Sequence, residues 1–305
     1  MASYIVRRVL WLAPVLLFVS LITFVLMHSV EGGPWDDGAK RTDADRARLD
    51  ERYGLDDPLW RQYTTFVTNA LRGDLGVSFS RTTQDVREII WDGFKVSFVL
   101  GVLAVGLATI VGVPLGVLSA VKKNGAWDYA AVALATGGAA VPSFVVGIFL
   151  ILVFAVRLDW FPVNGWGTPR EAVMPVIALS LLPMAFLARI TRASVLDVLN
   201  EDYVRTARAK GLSGWTVLSR HVFRNALVPI LTVLGPIAAA TITGSFIIET
   251  MFGIPGIGRE FINSIGRRDY GVIMGTTLFY CVLVAVANLL VDVAYAFVDP
   301  RIEQR

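Results

Sequence analysis

Asn200-Glu-Asp-Tyr-Val-Arg-Thr-Ala-Arg-Ala-Lys-Gly211-Leu-Ser213, followed by His221-Val-Phe-Arg-Asn-Ala-Leu-Val-Pro229, is a polar stretch set between two apolar helices. It reads as a short helix with both ends marked. Asn200 is placed to cap its start, because a short polar side chain accepts from the free backbone N–H groups there. Glu201 and Asp202 lie in the first turn, and Arg208 and Lys210 in the last, an order that complements the helix dipole. Gly211 suits the left-handed position just past the end. Ser213 then caps a second helix that starts at Gly214. A helix of about ten residues is marginal alone in water, so this one is expected to dock on something.

The chain around it is that of a membrane protein. Of 305 residues, 55% are apolar and only 17% charged, where a soluble domain carries roughly a quarter charged. The charges cluster and leave uncharged runs of about 20 residues, long enough to cross a bilayer core. Six spans can be drawn, at 9–30, 96–121, 129–156, 173–188, 226–248 and 271–298. The first is too long for a signal-peptide core and no small-residue cleavage site follows, so it reads as an uncleaved membrane helix. The fourth is short, holds Pro175 and Pro183, and is expected to bend and to continue past Arg189 into the cytoplasm.

Orientation follows from the short loops. Arg7-Arg8 place the N-terminus inside, Lys122-Lys123 place the second loop inside, and 189–224 carries seven basic and three acidic residues. The C-terminus is then inside as well, in a cytoplasmic membrane. The expected organisation is an N-terminal membrane helix over 1–30, an external helical insert over 31–92, and a five-helix core over 93–305 with its cytoplasmic loop at 189–225. Within the insert, Asp57 and Pro58 are placed to start a helix. Leu59, Tyr63, Phe66, Val67, Ala70 and Leu71 form its apolar stripe, and Gly73 stops it. The stripe serves equally to seal the insert or to meet a partner.

Catalytic motifs are absent: there is no phosphate-binding Gly-rich loop with its lysine, no His-Glu-x-x-His and no Gly-x-Ser-x-Gly. Leu212-Ser213-Gly214-Trp215 begins like an ABC ATPase signature and breaks at Trp215. The single cysteine, Cys281, excludes an internal disulfide, and His28 and His221 fall on opposite sides of the membrane, so no shared metal site is expected. The net charge of +3 is too small to argue for nucleic acid. Small residues recur at Gly112-x-x-x-Gly116, at Thr136-Gly-Gly-Ala-Ala140 and through the fifth span. Such faces let helices approach closely, either within this chain or along a moving or pathway-lining surface. The fifth span is the pathway candidate, through Thr232, Gly235, Thr241, Thr243 and Ser245. Asn288, Asp292, Tyr295 and Asp299 share one face of the last span. Asp292 fits a pairing role better than a proton site. Gly253-Ile-Pro-Gly-Ile-Gly258 and the amphipathic run after it read as a turn or as a short re-entrant or surface helix.

These residues carry a resemblance. The run 203–212 with Arg224-Asn-Ala-Leu-Val-Pro229 resembles the cytoplasmic loop of binding-protein-dependent ABC importer permeases. The general motif there is Glu-Ala-Ala, three residues, Gly, and later Ile-x-Leu-Pro. Arg205-Thr206-Ala207 stands where Glu-Ala-Ala would be, a form common in the oligopeptide/dipeptide branch, and the Leu-Val-Pro step falls late. Tyr53-Gly-Leu-Asp-Asp-Pro-Leu59, Leu71-Arg-Gly-Asp-Leu-Gly76, Ile254-Pro-Gly-Ile-Gly258 and Asp299-Pro-Arg-Ile302 extend the resemblance along nearly the whole chain.

The resemblance implies an all-α, six-span type I importer permease. It implies alternating access together with a second related permease, two ABC ATPase subunits and an extracellular solute-binding protein. ATP and Mg would be bound by the ATPases, with no cofactor or metal on this chain. Asp202, Tyr203, Arg205, Thr206, Ala207, Lys210 and Gly211 would form the ATPase-coupling segment. The expected cargo is short peptides, with nickel complexes, glutathione or other small solutes carried by some relatives. The rival class is an ion-coupled secondary transporter, which would leave the coupling loop unexplained. An intramembrane enzyme would lack a nucleophile–base set.

Overall fold

The computed structural model describes residues 2–35, 42–81 and 84–298. Among these, the only extended pairing is an isolated bridge between Val77 and Asp85; all other regular structure is helical. Among the described residues, five helices are long and apolar enough to cross a membrane. They are α1 (Ala2–Ser29), α4 (Val86–Val121), α7 (Pro169–Leu199), the course from Gly214 to Ile242 that contains α10 (Phe223–Ile242), and α13 (Tyr270–Val298).

The expected third span is broken. α5 (Ala126–Ala140) and the helix Ser143–Arg157, whose first part is α6 (Ser143–Leu150), meet at 101°. The break falls on Val141-Pro142, where proline removes a backbone donor and biases the preceding residue to extended geometry. Val141 has φ −94° and ψ 123°. The expected fifth span also ends early. α10 stops at Ile242, Gly244 takes φ 97°, and Ser245 caps a separate short helix, α11 (Phe246–Met251), by accepting from Ile248 N at 3.3 Å. By contrast, α7 runs unbroken through Pro175 and Pro183. It starts on Thr168, with the Glu171 carboxylate accepting from the backbone N–H groups of Gly167 and Thr168, and continues well past Arg189.

The chain packs as two units. The first comprises 1–97 and 255–286. Its insert holds α2 (Asp43–Tyr53), a helix that the apolar pattern does not reveal because it is almost wholly polar. Thr42 caps α2 by accepting from Asp45 N at 3.2 Å, and Gly54 closes it with φ 66°. α3 (Leu59–Leu71) follows. Asp57 does not cap it; its carboxylate instead receives Arg61 at 3.1 Å, and Pro58 stands one position earlier than expected, at the N-cap. Tyr63, Phe66, Val67 and Ala70 are half-buried, whereas Leu59 and Leu71 are exposed. The Tyr63 hydroxyl lies 3.0 Å from both the Leu17 carbonyl and the Ser20 hydroxyl, so α3 is fastened to the middle of α1.

The segment before α4 is held by Asp269, which is buried. Its carboxylate accepts from the hydroxyls of Ser78 and Ser80 at 2.5 and 2.7 Å and from the N–H groups of Phe79 and Ser80 at 3.0 and 3.1 Å. Gly253-Ile-Pro-Gly-Ile-Gly258 leads into α12 (Ile257–Gly266), a packed helix. Ile257 shares a core with Val86, Ile89, Ile90 and Val272.

The second unit comprises 98–254 and 287–305. α7 is its centre, packed by α5, α6 and α10. Gly112 and Gly116 of α4 face it so closely that a Cβ on Gly116 would lie 2.5 Å from the Ala188 carbonyl oxygen. This glycine pair therefore serves packing within the chain. Asn288 is exposed; Asp292, Tyr295 and Asp299, the other members of that expected set, have side chains outside the described residues.

Candidate functional site

α8 (Asp202–Ala209) follows α7 with only Asn200 and Glu201 between them. Asn200 belongs to the helix before it: it ends α7 and its amide donates to the Leu196 carbonyl at 3.0 Å. Glu201 is the residue at the N-cap of α8 and makes no side-chain cap. The unbroken α7 leaves Asn200 no extended geometry from which to cap, which is why the sequence expectation moves by one residue.

The other end is as expected. Gly211 has φ 79°, its N–H reaches the Arg208 carbonyl at 2.9 Å, and the Leu212 N–H reaches the Ala207 carbonyl at 3.4 Å. This pair of bonds satisfies two of the last carbonyls of α8. A Cβ on Gly211 would meet no atom within 4 Å, so conformation alone selects glycine there. Ser213 then caps the next turn, accepting from Thr216 N at 3.3 Å.

α8 has two faces. Val204 and Ala207 are buried and pack with Ala120, Val195, Val217, Val222 and Ala226, three and four residues apart being one side of a helix. Asp202, Tyr203, Arg205, Thr206, Arg208, Lys210 and Gly211 are exposed. Ala207 is therefore separated from the other coupling candidates: it anchors the helix, while they present its free face. Tyr203 does both. The residue is 41% exposed, and its hydroxyl receives the Asn225 amide at 2.6 Å. Arg205 and Asp202 form an exposed pair at 3.5 Å, which adds little energy. The arrangement is a short helix pinned on one side by its own chain and offering a polar, mixed-charge surface on the other.

The pathway candidates differ in their surroundings. Thr232 is exposed on α10, its hydroxyl returned to the Val228 carbonyl at 2.8 Å. Gly235 makes room for Val291, whose methyl carbons would lie 2.9 Å from a Cβ. Thr241 is buried, Thr243 bonds the Ala240 carbonyl, and Ser245 is the cap of α11. Sequence reasoning missed an ion pair between the buried Asp128 and the half-buried Arg192. Its partners are 64 residues apart, and the only local signal is an aspartate at the start of an apolar run.

Comparison with known proteins places this geometry. Residues 112–304 match the family described as binding-protein-dependent transport system inner membrane component, and residues 1–101 match its N-terminal counterpart. The chain is 44% identical over 303 residues to the dipeptide transport system permease protein DppB of Bacillus subtilis (strain 168), covering 99% of this chain and 98% of that one. It is 39% identical over 304 residues to the oligopeptide transport system permease protein OppB of Escherichia coli (strain K12), covering 99% of each. Among solved structures, an inward-facing MetNI methionine ABC transporter matches with a TM-score of 0.59 at 16% identity, over 70% of this chain and 97% of that one. An amino acid ABC transporter with histidines matches with a TM-score of 0.56 at 18% identity, over 68% and 94%. The fold is thus that of a type I importer permease, and the chain is a multi-pass membrane protein.

Proposed function

Because the chain belongs to the family of binding-protein-dependent transport system inner membrane components, we propose that it is the permease subunit of an ATP-driven importer of short peptides. The peptide cargo rests on the full-length similarity to permeases named for dipeptides and oligopeptides. The complex would add a second, related permease, two ABC ATPases that bind ATP and Mg, and an extracellular binding protein that delivers cargo. Both termini and α8 would face the cytoplasm.

The observation that carries the mechanism is the two-faced helix α8. Its Val204 and Ala207 side is fixed to α4, α7 and α10, and its polar side is open. An ATPase subunit binding that side would seat Asp202, Tyr203, Arg205, Thr206, Lys210 and Gly211. Closure of the ATPase pair on ATP would then displace α8, and the helices packed behind it would tilt and switch the side to which the pathway opens. Thr232 is the pathway candidate with an exposed polar position on α10.

Vesicles containing the purified complex test the reading. Uptake of labelled trialanine is expected to need both ATP inside and the loaded binding protein outside. Uptake driven by a proton or sodium gradient without ATP would contradict it and favour an ion-coupled carrier.

A further inference from the structure

Behind α8, one carboxylate joins four segments of the second unit. Asp128, in the first turn of α5, is 3% exposed. Its Oδ1 accepts from Arg192 Nε at 2.7 Å and its Oδ2 from Arg192 Nη2 at 2.9 Å. Ser119, near the end of α4, donates its hydroxyl to Oδ1. The backbone N–H of Asn124 donates to Oδ2 at 2.8 Å. Asn124 holds φ 62° to do so, a left-handed conformation that asparagine tolerates better than most residues.

The same helix ends are fastened from the apolar side as well. Ala120, next to Ser119, and Val195, one turn beyond Arg192, both belong to the cluster that seats Val204 and Ala207 of α8. About one turn of α4 before Ser119, α4 and α7 touch without slack, because a Cβ on Gly116 would lie 2.6 Å from the Thr191 Cβ. The end of α4, the start of α5, the end of α7 and all of α8 are therefore one packed body. Its far limit along α5 is the 101° turn at Val141-Pro142.

With Asp128 buried and Arg192 partly exposed, the pair is a weak source of stability, since desolvation of the carboxylate offsets much of the attraction. What a forked arginine–carboxylate contact supplies is fixed orientation. The geometry points to Asp128 and Arg192 as positioning residues for transport: they lock the α4–α5 loop to α7, so that displacement of α8 moves α4, α5 and α7 together. Neither residue needs to touch cargo. The inference rests on the permease reading above.

The test uses the full complex in vesicles with wild-type chain, Arg192→Lys and Arg192→Gln. Three quantities are read: ATPase co-purified per permease, ATP hydrolysed, and labelled trialanine taken up. Arg192→Gln is expected to assemble to within about twofold of wild type and yet to hydrolyse at least about fivefold more ATP per peptide moved, the lower range of typical coupling factors. Arg192→Lys keeps the charge but not the fork and should fall between. An unchanged ATP-to-peptide ratio in Arg192→Gln would overturn the inference. Failure of both variants to assemble would also overturn it, by making the pair a folding element. If wild-type vesicles take up no trialanine, the peptide reading fails instead. The ratio of ATP hydrolysis with and without the binding protein then still reads coupling, and it should fall in Arg192→Gln.

Discussion

The Asn225 amide donates to the Tyr203 hydroxyl at 2.6 Å and to the His221 carbonyl at 3.2 Å, closing α8 onto the first turn of α10. These hydrogen bonds are exposed, so the loss of each should cost about 1 kcal/mol or less. Tyr203→Phe keeps the ring and should retain most uptake, as should Asn225→Ala. Because the two changes share the Tyr203–Asn225 bond while each also gives up its own bond to the His221 carbonyl, the double variant should lose less than the sum of the singles. Thermal unfolding of the three variants checks this; additive losses would show that Tyr203 and Asn225 act through separate contacts.

Gly211 is the position where α8 is most sensitive. Its φ of 79° costs an L-residue about 1–2 kcal/mol, and a β-branched residue more. The space around it is open, so side-chain size is not the obstacle. Gly211→Asn should therefore stay near wild type, while Gly211→Val should insert normally but hydrolyse ATP without moving cargo, or bind its ATPase poorly. Equal loss in both variants would mean that volume rather than backbone conformation matters there.

Gly116 makes a different prediction, because its obstacle is volume. A Cβ there would press on the Ala188 carbonyl oxygen at 2.5 Å, and backbone cannot swing aside as a side chain can. Gly116→Ala should lose about 1–3 kcal/mol of stability, the usual range for overpacking. The readout is the melting temperature of the purified complex. Gly106→Ala, where a Cβ meets nothing within 4 Å, is the matched control and should be neutral.

Asp269 anchors the segment before α4. Asp269→Ala would strand the buried Ser78 hydroxyl and release the N–H groups of Phe79 and Ser80, a loss on the order of 2 kcal/mol, while Asp269→Asn keeps one acceptor and should be milder. Arg81, held by Glu260 at 2.7 Å, lies at the edge of this loop. Limited trypsin digestion should cut at Arg81 fastest in Asp269→Ala. Unchanged cleavage would show that the loop is held by other means.

What could be read from the sequence was what is encoded locally. The long apolar helices, the polar helix α8 and its glycine stop are each specified by residues within a turn or two of one another. The misses share a cause. At Val141-Pro142 and at Gly244-Ser245 the chain stays apolar or small on both sides, so hydropathy registers no change while the backbone turns. α2 escaped because a wholly polar helix has no apolar stripe, although Thr42, Asp45 and Gly54 mark its ends. Asn200 has the chemistry of a cap, but only the continuation of α7 decides which helix it serves. The Asp128–Arg192 pair and the Asp269 loop join residues far apart in the chain, and nothing short of the fold brings them together. Among the pathway residues, small size looked like a lining. Gly235 is the seat of Val291, and Ser245 caps α11.

The polar face of α8 is proposed to be the seat of a cytoplasmic ATPase. In a Cys281→Ala background, a cysteine at Arg205 lies on that exposed face, and one at Val204 lies on the buried face. With a short thiol-to-amine cross-linker, Arg205→Cys in membranes of cells making the whole complex should trap the ATPase subunit. Val204→Cys should not. Labelling of Arg205→Cys by an impermeant thiol reagent added to intact cells, with no ATPase trapped, would contradict the account.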